Sequence, residues 1–146
     1  VFCMFILLVS CSSEKKSENI DYWGKTRAEI VKEKGNPVED EKQVGKFDEA
    51  IAYGKDFLNY ELFYFKKDIC IRHNVILPKE KFDEKYTELK KQFGEPIKKS
   101  DYFLFANEMI KLTTVNPDKL NKIAPNSASK QDSLEYTFMI IYGDKK

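Results

Sequence analysis

Few residues in this chain have the type and spacing for covalent or metal chemistry. His73 is the single histidine, so no two-histidine metal site can be built. No CxxC pair supplies zinc thiolates either. Cys70 lies three residues before His73 in "DICIRHNVIL". On a strand, that offset sends the two side chains to opposite faces, so a Cys–His dyad is not expected. Cys70 reads as a small buried hydrophobe, with a hydrolase built on its thiol as the outlying alternative. No GxSxG nucleophile elbow occurs. "GKT" at 24–26 looks like the end of a phosphate loop, but that motif needs a glycine where Asn19 stands. Asp83 and Glu84 sit in the charge-rich run "KEKFDEKYTELKK" and read as a solvated face. The expectation is a chain without catalysis, cofactor or metal.

Residues suited to recognition are more plentiful. Tyr22 and Trp23 stand just before the first helical signal. They either staple that helix or offer an aromatic contact to a partner. Phe63, Phe65, Phe103 and Phe105 alternate along two strand-like runs. Each alone fits a core. Together, on an uncovered sheet face, they would form an apolar patch for association.

The elements that must position these residues follow from periodicity and stop signals. Thr26 and Glu29 form a capping box that opens a helix running to about Lys34. Gly35 and Pro37 close it, with Gly35 expected in the left-handed conformation. Phe82, Tyr86, Leu89 and Phe93 make one apolar stripe on a second helix, which Gly94 and Pro96 end. Gly35 and Pro37 thus recur at a common interval as Gly94 and Pro96, which suggests a repeated unit. Strand-like runs follow each stop: "FDEAIAYG", "FLNYELFYFKK" and "DICIRHNVIL", then "SDYFLFA", "EMIKLTTV" and "LEYTFMIIYGD". In the second run Tyr60, Leu62 and Tyr64 share one face while Glu61, Phe63 and Phe65 share the other. "KKD" at 66–68 is turn-like. The fold class read from this pattern is α+β: two tandem α-β-β-β units, helices on one face of an antiparallel sheet and the other face partly free. The units span 22–77 and 78–146.

The start of the sequence carries a different signal. "VFCMFILLVSC" is an apolar run too short to span a bilayer, which needs about 20 residues. Its length suits the apolar core of a signal peptide. Leu8, Val9, Ser10 and Cys11 resemble a bacterial lipobox, with Cys11 receiving the lipid. Residues 1–10 then form a signal peptide truncated at its N-terminus, and 11–21 a polar tether. Cys3 would leave with the signal peptide, so Cys70 would be the one free thiol of the mature chain. Twenty-five basic residues balance 24 acidic ones. That removes the basic excess on which nucleic-acid binding depends.

The segment "GKTRAEIVKEKGNP" resembles the signature of the SmpA/OmlA-type outer-membrane lipoproteins, with Gly24, Thr26, Arg27, Glu29, Ile30, Gly35 and Pro37 at matching intervals. "AIAYGKDFLNYELFYFKKDICI" is similar to the aromatic strand pair that follows in that family, and "KQFGEP" to a degenerate second copy. Two such units resemble the fold of the secreted β-lactamase inhibitor proteins. The resemblance implies a small lipid-anchored adaptor. It would bind an envelope protein through sheet and loops, at the outer membrane facing the periplasm. An inhibitor or ligand-sequestering module of the same fold is the alternative. Lys32 and Lys34 depart from the pattern, because the family commonly places apolar residues there.

Overall fold

The computed structural model describes residues 22–54, 59–116, 118 and 135–142. The lipidation candidate Cys11, the tether and residues 1–10 lie outside these.

The first helix, α1 (Arg27–Lys34), begins at the Thr26–Glu29 box, and both reciprocal bonds are present. Gly35 ends it and donates its N–H to the Val31 carbonyl at 2.8 Å. Its φ of 87° and ψ of −166° lie outside the left-handed helical region expected from sequence. They fall in a zone that only glycine occupies without strain. Gly94 repeats this geometry, at 83° and −163°, at the end of α2 (Phe82–Phe93). The two stop signals are therefore one conformation used twice.

Four strands follow α1: β1 (Glu39–Val44), β2 (Phe47–Tyr53), β3 (Tyr60–Lys66) and β4 (Ile69–Pro78). A single 3-10 turn, Lys79–Lys81, leads into α2, and four more strands follow. These are β5 (Ile97–Lys98), β6 (Tyr102–Phe105), β7 (Ile110–Val115) and β8 (Tyr136–Tyr142). Each helix is thus followed by four strands, where the sequence pattern gave three. The added ones are the two edges, β1 and β5. All pairings are antiparallel, and one continuous eight-stranded sheet results, in the order β1-β2-β3-β4-β8-β7-β6-β5. The last strand of each half meets the other at the centre, β4 beside β8. At the β3–β4 hairpin, Lys67 and Asp68 both adopt positive φ, 51° and 65°. A two-residue turn of that kind matches the twist of the flanking strands.

Both helices lie on one side of the sheet. Ile30 of α1 packs with Ile51, Phe63, Phe65 and Cys70. The α2 stripe of Phe82, Tyr86, Leu89 and Phe93 packs on Phe105, Ile110, Leu112, Met139 and Ile141. The opposite side is not partly free as expected. It carries a third cluster, with Leu62, Tyr64, Ile76, Phe138 and Ile140 all buried. The alternation in β3 holds: Tyr60, Leu62 and Tyr64 join this third cluster, while Phe63 and Phe65 face α1.

One irregularity changes which side chains meet. Tyr64 pairs with Arg72, but Phe65 pairs with Cys70, so Ile71 is an extra residue on β4. A β-bulge of this kind reverses the alternation across it. Cys70 and His73 therefore occupy the same face, against the expectation of opposite faces.

Candidate functional site

The chain enters the fold at the seam between the two helix-side clusters. Gly24 donates its N–H to the Cys70 carbonyl at 2.7 Å, and Cys70 donates back to the Lys25 carbonyl at 2.8 Å. Thr26 adds a bridge to Ile69. This short pairing fixes Tyr22 and Trp23, which divide between the two halves. Tyr22 joins the α1 cluster, with its ring 5.3 Å from Phe63 and 5.6 Å from His73, edge-on to both. Its hydroxyl donates to Glu33 at 2.8 Å. Trp23 packs instead against the α2 cluster. Its Nε1 is buried with no hydrogen-bond partner among the described residues. Of the two readings from sequence, a staple on α1 or a contact for a partner, the staple describes Tyr22, while Trp23 packs on the other half.

The four phenylalanines singled out as a candidate patch are not on an uncovered face. Phe63 is 0 % exposed, Phe65 1 % and Phe105 2 %, all beneath helices. Phe103 is half-buried, 4.9 Å from the Tyr86 ring of α2. The sequence showed correctly that they alternate, but not which face the helices would cover.

Around Tyr22 the structure assembles a group that sequence reasoning touched only through the oddness of Lys34. The Lys34 ammonium lies 5.1 Å from the Tyr22 ring centroid, 5.5 Å from Tyr53 and 5.8 Å from Phe63. All three are within the reach of a cation–π contact. The rings stand nearly at right angles, 74° between Tyr22 and Phe63 and 84° between Tyr53 and Phe63. They form three sides of a box. Glu61 closes it, accepting from Lys34 at 2.5 Å. The other Glu61 oxygen lies 3.8 Å from His73 Nε2. His73 is fully buried and stacks on Phe63 at 4.3 Å with the planes 8° apart. Tyr53 also donates its hydroxyl to the Gly35 carbonyl at 2.9 Å. Burial pushes the Tyr53 pKa up, against the opposing pull of Arg27.

Beside this box a cavity of about 270 Å³ opens along α2. Glu61 and Asn59 line one wall, Lys81, Glu84 and Lys85 the other, and Val75 and Leu77 the floor. Its charges are already paired within the chain: Lys34 with Glu61 at 2.5 Å, Lys81 with Glu84 and Lys85 with Glu88, both at 2.7 Å. The Lys81 bond holds the Glu84 carboxyl below its usual range and raises the Lys81 pKa.

Cys70 offers no nucleophile. It is fully buried, and desolvation pushes its pKa up to about 12. Its thiol donates to the Arg72 carbonyl at 3.6 Å. The bulge brings it to the face of His73 without freeing a thiolate, which is the reactive form. The hydrolase alternative therefore lacks an accessible nucleophile at neutral pH. Among the described residues, no group of three His, Cys, Asp or Glu side chains could hold a metal ion.

No protein-family model, curated protein or solved structure matches the chain.

Proposed function

We infer that this chain is a non-catalytic binding module of the bacterial cell envelope. It is held to a membrane by lipid on Cys11, and it engages a protein partner at the cleft running from the Lys34–Glu61 pair to α2. The observation that carries this reading is how the chain enters the fold. Tyr22 and Trp23 lock the start of the domain into the seam beside that cleft. A tether from Cys11 to that anchor spans at most about 40 Å when fully extended. The cleft thereby stays within reach of the surface that holds the lipid. Residues 1–11 have the pattern of a lipoprotein signal. Among the described residues, no helix is long and apolar enough to cross a membrane.

The matched order of elements, a helix and then four strands on either side of the β4–β8 seam, supports reading 22–77 and 78–146 as two copies of one unit. That reading fits the resemblance to SmpA/OmlA-type lipoproteins and an outer-membrane, periplasm-facing location. The partner class is an envelope protein. At the cleft, buried apolar residues meet a rim of self-paired charges, so an anchor side chain with an apolar stem enters without stranding an ion.

Two measurements test this. Cys11→Ala moves the protein from the membrane fraction to the soluble one; retention in the membrane fraction overturns the anchor. Crosslinking pull-down from native membranes captures an envelope protein, and a Lys81→Glu/Lys85→Glu variant loses it. Equal capture by both forms removes the cleft from the reading.

A further inference from the structure

We propose that the Tyr22–Tyr53–Phe63 box and Glu61 are a binding site for an alkylammonium group, which Lys34 of the chain itself occupies and holds closed. Four observations converge on it. Three rings stand around one point at 5.1, 5.5 and 5.8 Å, and their mutual angles present π faces from different directions. A carboxylate completes the box. Such an arrangement suits a cation that keeps little of its hydration shell, as methylated ammonium groups do.

The resident cation comes from the last residue of α1, next to Gly35. The Lys34 side chain remains 21 % exposed, so its ammonium can move to water without unfolding the helix. Finally, Glu61 also lines the 270 Å³ cavity with Val75 and Leu77 as its floor. An aliphatic chain lying there would place its terminal ammonium at Glu61. The ligand class is therefore an amine, primary or methylated, on a short apolar stem. It competes with Lys34 for the box.

The site shares Glu61 and its cavity with the cleft of the partner-binding reading, which it deepens. Its test needs no partner protein, so the two can fail separately. The full chain is titrated with n-pentyltrimethylammonium while the backbone amides of residues 61–63 and 73 are followed by NMR. The wild type binds weakly because Lys34 competes in cis. Lys34→Ala binds at least about tenfold more tightly. Lys34→Met, which refills the space of the stem without charge, does the same and serves if the alanine variant folds poorly. Adding Tyr53→Leu to either variant reverses the gain. The neutral isostere, with carbon in place of nitrogen, binds at least about tenfold more weakly than the cation. Equal affinities of wild type and Lys34 variants, or of cation and isostere, overturn the proposal. Nα-acetyl-lysine methylamide and phosphocholine, titrated in parallel, distinguish a protein side chain from a lipid headgroup as source. Failure of both to bind the Lys34 variants also overturns the site.

Discussion

The two helices of this protein solve the same problem in different ways. α2 follows the common solution: four apolar side chains along one stripe, with Leu89 buried and the Phe82 and Tyr86 rings packed at an angle on Phe103 of β6. α1 has a single fully buried residue, Ile30. Around it stands a frame of charge. Arg27 reaches Asp40 on β1 and, at 2.5 Å, Glu49 on β2. At the other end Lys34 reaches Glu61 on β3 and sits in its aromatic box. One helix is held by apolar area and the other by ions and π faces. Burial is indifferent to salt and to moderate acid, whereas exposed charge responds to both. The two halves should therefore separate under conditions that affect only electrostatics.

The largest test is at the one buried residue of α1. Ile30→Ala removes buried methylenes at a site where only the partly buried Val31 of the same helix also packs on the cluster. It should cost about 2–5 kcal/mol, read by urea denaturation, and abolish hydrogen-exchange protection in 27–34 first. Leu89→Ala should cost a similar amount and lower the protection of both halves together. If α1 keeps its protection in Ile30→Ala, the charge frame alone suffices to hold the helix.

Next comes the box. Lys34→Ala leaves Glu61 beside buried His73 without its cation, and should destabilise the fold by about 1.5–3 kcal/mol. Lys85→Ala, on the α2 side, loses a pair whose carboxylate, Glu88, is half in water and should cost about 0.2–1 kcal/mol. Equal costs would erase the contrast.

Raising sodium chloride from about 0.05 to 1 M shortens the screening length several-fold. Amide exchange in α1 should quicken by about threefold to tenfold while exchange in α2 stays level or slows.

The smallest effect is that of acid. Glu29 is held below its usual pKa, chiefly by the Thr26 backbone N–H and then its hydroxyl. Glu33 is held low by Lys25 and then Tyr22. A carboxyl depressed in the folded state adds stability above its unfolded pKa. That contribution is lost as pH falls through the folded value. The start of α1 should therefore fray below about pH 4, seen as loss of helical amide protection at 27–30. Glu84 at the start of α2 is depressed as well, by Lys81, yet the apolar stripe should keep α2 docked. Fraying of both helices at one pH would contradict the division.

Much of this was legible from residue types. The Thr26–Glu29 box fixed one helix, and the Phe82–Phe93 stripe the other. Glycine and proline marked both stops, and alternation sorted the faces of β3. The two edge strands escaped because their role hides them. β1 is "EDEKQV", exposed at every position but Val44, and β5 is two exposed residues. A sheet edge must discourage further pairing, so it carries charge and little apolar pattern. The bulge at Ile71 left no local mark, and it alone decides that Cys70 and His73 share a face. Lys34 stood out as a departure from an apolar position. Its surroundings did not, because Tyr22, Tyr53 and Phe63 come from three separate segments. Only the pairing of β2 with β3 and of the 24–26 segment with β4 brings them together.

The central seam has a consequence for the order of events in making this molecule. β8 is the last of the described strands, and it lies between β4 and β7. It pairs with β4 from Arg72–Tyr142 to Pro78–Tyr136. Until it has emerged, β4 has an open edge and the α2 stripe lacks Met139 and Ile141 beneath it. Contacts between partners so distant along the chain form slowly, because a long loop must close first. Completion of the sheet therefore waits until β8 has been made. Until then the two halves cannot lock together, and the open edge of β4 is free to pair with another strand.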